Sequence, residues 1–317
     1  MRHRLTTQLT AVVLVGTFAC TGQREVARNG RRKVTIGIQV SPAMALMMVA
    51  QDKGFFRQQG LDVELKEFTA GKFALQAFLA GAVDFAVSGE VPVALATLQG
   101  NSLRVVTQVV ERTRNEVRVV ALRDGNITDP AAYFLRKKRK LATSFGGGPE
   151  FFTYSFLRHY QIRPDQVEII SQKPEDMPAA LATGSVDAVA IFEPFAYFAE
   201  HRSKRSVMAF PDAGIYSELY VLAASPAQLE SKAHEIAGMV HALATAGDFV
   251  DSNTTEAKRS CRSTRSSTWK LSRPSGPHLC SGPHSHRISS ASGRRRPIGR
   301  GRLGSCRPAR RPLTFRH

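Results

Sequence analysis

Apolar and polar residues alternate over residues 33–40, with Val34, Ile36, Ile38 and Val40 on one face, and this period of two predicts a strand. Ser41-Pro42 breaks it, and 43–51 is apolar enough for a helix lying on a sheet. Residues 61–65 alternate again and predict a half-buried strand. Thr69-Ala70-Gly71-Lys72 then turns into a helix over 73–80. Residues 83–87 are apolar apart from Asp84 and predict a buried strand, followed by a helix over 91–98. Further strands are expected at 104–110 and 117–122. The scheme repeats with a strand at 141–145 and a helix opened by Gly146-Gly147-Gly148-Pro149-Glu150, where Phe152, Phe156 and Tyr160 form an apolar stripe. A strand at 167–171, a helix at 175–183 and a strand at 188–192 follow. Residues 219–223 read as a strand returning to the first half, and 226–250 as one long helix. Strands alternating with helices at this spacing predict βαβ units and a largely parallel sheet.

One stretch occurs twice. Ala77/Ala180, Gly81/Gly184, Val83/Val186, Asp84/Asp187 and Glu90/Glu193 coincide at a constant offset of 103 residues. Solenoid periods run from about 20 to 50 residues, so this is no solenoid; it is the length of a small domain. Two similarly built lobes are expected, each with a Glu just beyond a buried strand, and a cleft between them suited to a small molecule.

Charge changes the picture at both ends. The formal net charge is +18, but from Asn253 onward there are 16 Lys or Arg and a single acidic residue, Glu256. The remainder has 44 − 16 = 28 basic and 26 − 1 = 25 acidic residues, a net of +3. The body therefore carries no general signature of nucleic-acid binding. Beyond Ala257 the chain is rich in Ser, Arg, Pro, Gly and His and loses hydrophobic periodicity, so 258–317 reads as a basic tail without packed core, either disordered or translated out of frame. At the other end, Arg2 and Arg4 precede a short apolar run over 9–18, which predicts a signal peptide over 1–19. Thr17-Phe18-Ala19-Cys20 resembles a lipoprotein cleavage site, with Cys20 the lipidated residue and 20–32 a tether; simple cleavage after Ala19 is the alternative. Between Thr21 and Ser260 there is no cysteine, which excludes a core disulfide and a Cys-based metal site.

In an open α/β sheet, ligands bind outside the carboxyl ends of the strands. The candidates there are Ser41, Thr69, Gly71, Lys72, Ser88, Glu90, Gly146, Gly147, Gly148 and Glu193. The glycine run lets backbone approach a ligand, and the helix end after it favours an anionic oxygen; on this reading Gly147→Val blocks binding, and the alternative is a simple tight turn. Glu90 and Glu193 either accept hydrogen bonds from ligand N–H groups, or cap helices and bridge the lobes. Asp84 and Asp187 are expected to fix turns. No nucleophile elbow or metal-ligand spacing is found, so neither a catalytic site, a metal nor a cofactor is expected.

Gly54-Phe55-Phe56 with Gly60-Leu61-Asp62-Val63, the 78–84 unit, Gly146-Gly147-Gly148-Pro149 and Phe192-Glu193-Pro194 together resemble ABC-transporter substrate-binding proteins of the nitrate, sulfonate, taurine and thiamine-pyrimidine-precursor branch. The resemblance implies an α/β, two-lobed, type II periplasmic-binding fold, each lobe a mostly parallel sheet flanked by helices. It implies lobe 1 over 33–122, lobe 2 over 123–218 and a return to lobe 1 over 219–257. It further implies an exported, monomeric binding protein that captures a sulfonate, a nitrate-like anion or an aminopyrimidine and delivers it to a membrane permease with its ATPase. An enzyme like the pyrimidine-precursor synthases and a receptor for a membrane signalling partner are the alternatives; the Cys-free core and the export signal argue against the first.

Overall fold

The computed structural model describes residues 30–112, 116–210 and 212–263. The signal-peptide and Cys20 readings, and the tail beyond residue 263, lie outside the described residues. The first half of the chain runs β1 (Arg32–Gln39), α1 (Ala45–Asp52), α2 (Phe55–Gln58), β2 (Leu61–Phe68), α3 (Gly71–Leu79), β3 (Phe85–Gly89), α4 (Glu90–Leu98) and β4 (Arg104–Arg112). The second runs β5 (Val117–Leu122), α5 (Pro130–Leu135), β6 (Arg139–Thr143), α6 (Gly148–His159), β7 (Val167–Ser171), α7 (Met177–Thr183), β8 (Ala188–Phe192), α8 (Phe195–His201) and β9 (Val207–Phe210). The chain then returns through β10 (Glu218–Ala224), α9 (Pro226–Ser231), α10 (Ala233–Ser252) and α11 (Thr254–Ser263).

Two five-stranded sheets result, ordered β2-β1-β3-β10-β4 and β7-β6-β8-β5-β9. In each, three neighbouring strands are parallel, and the fourth runs against its neighbours on both sides. The sheets are therefore mixed, and the expectation of a mostly parallel sheet holds only for strand direction. The reversed strands, β10 and β5, are those that cross between halves. β5 belongs to the second sheet, so the chain leaves the first lobe before residue 117, one strand earlier than the boundary after Leu122. Its all-apolar core face reads equally well as a strand of either sheet, which is why sequence alone misassigns it.

The internal repeat is real at the level of single bonds. Asp84 N–H donates to the Thr35 carbonyl and Asp187 N–H to the Lys140 carbonyl, both at 2.9 Å. In return the Asp84 carboxylate accepts from Thr35 N at 2.7 Å, and that of Asp187 from Lys140 N at 2.9 Å. Each aspartate thus pins the start of β3 or β8 to its neighbouring strand. Gly81 and Gly184 end the preceding helices in the left-handed region, at φ +73° and +80°, where a side chain would be strained.

The core lies on both faces of each sheet. Val34, Ile36 and Ile38 of β1 pack with Met47 and Met48 of α1 and with Met239, Ala242, Leu243 and Ala246 of α10. In the second lobe Phe152 and Phe156 are buried, and Phe156 meets Phe134 and Phe210. Burying a side chain of this size stabilises by about 1.5–3 kcal/mol. Two expectations are corrected. The helix expected over 226–250 is broken at Lys232, which leaves helical geometry (φ −121°, ψ 27°) while its ammonium pairs with Asp84. The basic tail does not begin at residue 258: α11 continues to Ser263, and Ala257 and Cys261 are buried in the first lobe's core. The two lie four apart and share a helix face, too short a pattern to stand out in a polar sequence.

Candidate functional site

The carboxyl ends of the two sheets enclose a cavity of ≈ 20 Å³, room for about one water. Its wall is built from Gln39 at the end of β1, Gly71 and Lys72 opening α3, Gly89 ending β3, Ser144 just past β6, and Gly148 opening α6. Glu218, the first residue of β10, completes it. Gly71, Lys72, Gly147 and Gly148, expected at strand ends, line this cavity. The two lobes meet closely here.

Close approach depends on glycine. A Cβ on Gly148 would stand 2.9 Å from the Tyr216 hydroxyl and nearer still to Glu218 Oε1. One on Gly89 would stand 3.0 Å from the same Oε1, and one on Gly71 would stand 3.2 Å from Gln39 Oε1. Gly147 differs: its Cβ would meet Pro149 Cδ at 3.6 Å, an ordinary contact, and its φ of −153° is extended backbone open to any residue. The crowded position of the glycine run is therefore Gly148, not Gly147. Gly146 makes the turn at φ +76°, with its N–H donating to Glu150 Oε2 at 2.7 Å.

Three hydroxyls at the strand ends are buried without a hydrogen-bond partner among the described residues: Ser88 Oγ in β3, Thr143 Oγ1 at the end of β6, and Ser144 Oγ beside it. Such groups are uncommon, because leaving one unpaired costs about 1–3 kcal/mol. Ser41 is not among them. Its hydroxyl accepts from Ala43 N–H at 3.1 Å and donates to Glu116 Oε1 at 2.9 Å. Thr69 is half-buried and does not line the cavity.

The two repeated glutamates hold the crossing strands. Glu90 accepts from the Tyr216 hydroxyl at 2.5 Å and from Leu219 N–H, in β10, at 2.9 Å. Glu193 pairs with Arg118 of β5 at 2.6 Å and accepts from Tyr197 N–H in α8 at 3.1 Å. Neither carboxylate lines the cavity, so the capping and bridging reading describes them.

Sequence reasoning missed a polar network behind the cavity. Gln39 Oε1 accepts from Gly71 N–H at 2.9 Å while its Nε2 donates to the Tyr220 hydroxyl at 2.8 Å. Tyr220 donates in turn to Glu218 Oε2 at 2.9 Å. Glu116 lies beyond, with Arg112 Nε 3.1 Å from its Oε2 as an ion pair that lacks hydrogen-bond alignment. Gln39 was findable as a strand-end residue; Glu218 and Tyr220 reach the site only through the return of β10. Burial is the main cause that pushes the Glu218 carboxyl well above the usual range, and Glu116 and Glu90 add to it, against Tyr220 and Arg112. Burial likewise raises Glu116, against the Arg112 charge and the Ser41 hydrogen bond. Lys72 Nζ donates across the cleft to the Phe145 carbonyl at 2.6 Å; partial burial lowers its pKa, against Glu150 and Glu175.

These shifts have a sign that can be measured. Both glutamates keep their protons to higher pH folded than unfolded, so above the ordinary glutamate pKa the folded state binds more protons. Stability is then expected to fall as pH rises from that value through the raised folded pKa values. Urea midpoints between about pH 5 and 8 should decline, and Glu218→Gln should flatten the decline. A wild-type midpoint that climbs over this window would contradict the burial account.

Residues 41–257 match the family model described as NMT1/THI5 like. The chain belongs to that family. Among curated relatives, it is 26% identical over 161 residues to the taurine-binding periplasmic protein of Escherichia coli, covering 51% of this chain and 48% of that protein. It is 25% identical to a putative aliphatic sulfonates-binding protein of the same organism, covering 62% and 58%. It is 29% identical to a putative thiamine biosynthesis protein of Haemophilus influenzae, covering 50% and 49%. The chain thus spans about half the length of the curated relatives it matches. Among solved structures, the periplasmic aliphatic sulphonate-binding protein SsuA of Escherichia coli superposes with a TM-score of 0.60 at 21% identity, covering 72% of this chain and 77% of that one. The periplasmic nitrate-binding protein NrtA of Synechocystis PCC 6803 gives 0.58 at 15%, covering 72% and 65%. These likenesses establish the two-lobed periplasmic-binding fold.

Proposed function

We propose that this chain is the extracytoplasmic solute-binding component of an ABC importer. It is exported, anchored through a lipid on Cys20, and acts as a monomer that passes its solute to a membrane permease with its ATPase. The solute is a small sulfonate or a nitrate-like anion, as the names of its relatives suggest, or an aminopyrimidine, and is held without chemical change. The observation that carries this reading is that three buried hydroxyls at strand ends of the two sheets, Ser88, Thr143 and Ser144, have no partner among the described residues, with Ser144 in the cavity wall. A ligand gripped by both lobes supplies the missing partners and holds them together. Ser88, Gly71, Gly148 and Lys72 are its contacts on this reading, with Gln39 and Ser144 added to the set.

A thermal-shift screen against these solutes tests it. A solute at 100 times its dissociation constant should stabilise the protein by about 2.7 kcal/mol. Lys72 bridges the lobes to the Phe145 carbonyl, so Lys72→Met should loosen the closed form by about 1 kcal/mol, a severalfold loss of affinity. Its urea midpoint without solute should move little, because the amine is partly solvated. Unchanged affinity in Lys72→Met would remove the amine from the closing contact.

A further inference from the structure

We propose that the end of the solute held at Glu218 is a positively charged nitrogen group of the amidinium, guanidinium or ammonium class, and not an oxyanion; this rests on the solute-binding reading above. Glu218 is the carboxyl-bearing side chain of the cavity wall. It is 4% exposed. Its Oε2 accepts from Tyr220, while its Oε1 stands against Gly89 and Gly148, at the opening turns of α4 and α6. Those helix ends would favour an anion, but the protein's own carboxyl already stands there. An anion could be held there only through that carboxyl's proton, whereas a cation with N–H donors would complete the carboxylate.

The surrounding charges point the same way. Glu218 is faced by Tyr220 on its own strand, Tyr216 in the segment before it, Glu90 of α4, and Glu116 with Arg112 at the crossover. The opening turn of α6 brings Gly148 and Pro149, which carry no charge, and the Glu150 carboxylate of that turn is engaged by Gly146 N–H. Among the described residues, two further carboxyls and one guanidinium thus act on Glu218, and that guanidinium, Arg112, is paired with Glu116. Lys72, the cation of the cavity wall, reaches to the Phe145 carbonyl. The orphan hydroxyls of Ser88, Thr143 and Ser144 do not decide charge, since a hydroxyl either donates or accepts.

Binding a cation ionises Glu218: the carboxyl proton leaves to solvent and the ligand N–H donates to the carboxylate. Affinity for a cation therefore rises with pH up to the folded pKa of Glu218, whereas an oxyanion held by the protonated carboxyl would show affinity falling with pH. The full chain is titrated calorimetrically with acetamidine and methylguanidine as cations and methanesulfonate and nitrate as oxyanions. The titrations are repeated at two pH values and in two buffers of different ionisation heat. The expected result is binding of a cation with proton release, affinity rising with pH, and at least a tenfold loss in Glu218→Gln. The proton release is read on the wild type, so it stands even where the variant fails to fold. Binding of oxyanions alone would overturn this proposal and leave the solute-binding reading intact. Cation binding without proton release, or unaffected in a folded Glu218→Gln, would also overturn it. Binding by neither class would overturn both readings.

Discussion

Gly148→Ala is expected to abolish solute-induced stabilisation and to lower the stability of the unliganded protein by about 1–3 kcal/mol, the usual cost of overpacking. The added methyl would collide with Glu218 Oε1 and approach Tyr216 Oη to 2.9 Å. Neither neighbour gives way easily. Glu218 is fixed by Tyr220 and Tyr216 by Glu90. Relief must come from shifting α6 away from β10, which opens the cleft. Gly147→Ala is the control, because its methyl meets ordinary contacts at 3.6 Å and beyond. It should keep both stability and binding. Thermal unfolding with and without solute reads both outcomes, and a Gly148→Ala protein that binds like wild type would show that the cleft wall yields.

Arg118→Ala is expected to destabilise by about 3–5 kcal/mol, the cost of leaving buried charges without their partner. Arg118 on β5 pairs with Glu193 at 2.6 Å and Glu200 at 2.5 Å. The guanidinium side chain is 12% exposed and the two carboxylates 13% and 22%. Removing it strands two negative charges at the end of β8, where the second lobe grips its crossing strand. Combining Arg118→Ala with Glu193→Gln and Glu200→Gln should recover a large part of the loss. Urea denaturation of wild type, Arg118→Ala and the triple variant checks this, and a loss in Arg118→Ala below about 1 kcal/mol would mean that the pairs behave as solvated surface charges.

The fold was legible because periodicity is strong where strands are buried on both faces. The spans of β5, β7 and β8 were read off to the residue. The offset of 103 carried the symmetry, down to Asp84 and Asp187 making the same bonds. What failed was pairing across distance. β5 pairs with β8 and β9, all later in the chain, and nothing local in 117–122 says so. The site was half legible for the same reason. Gly71, Lys72 and Gly148 follow from the rule that ligands sit at strand ends, whereas Glu218 and Tyr220 lie at the start of a reversed strand. An antiparallel strand brings its amino end to the cleft, so a search of carboxyl ends passes over it. Repeated residues also diverge in use: Glu90 and Glu193 share a place in the repeat but are bound to different partners.

The interleaving of β10 sets an order of assembly. The second sheet draws on a continuous stretch, Val117 to Phe210, and is complete as soon as that stretch is available. The first sheet is not. β4 ends at Arg112, and the strand that must lie between it and β3 begins at Glu218, 218 − 112 = 106 residues later. Until that strand arrives, β4 has no neighbour to pair with in its own sheet. Closing so long a loop is entropically costly and slow, whereas the second sheet closes through shorter ones. Pulse-labelled hydrogen exchange during refolding should therefore protect β6 and β8 before β4, and protection of β4 first would reverse this order. A chain that emerges amino end first thus finishes its later lobe before its earlier one.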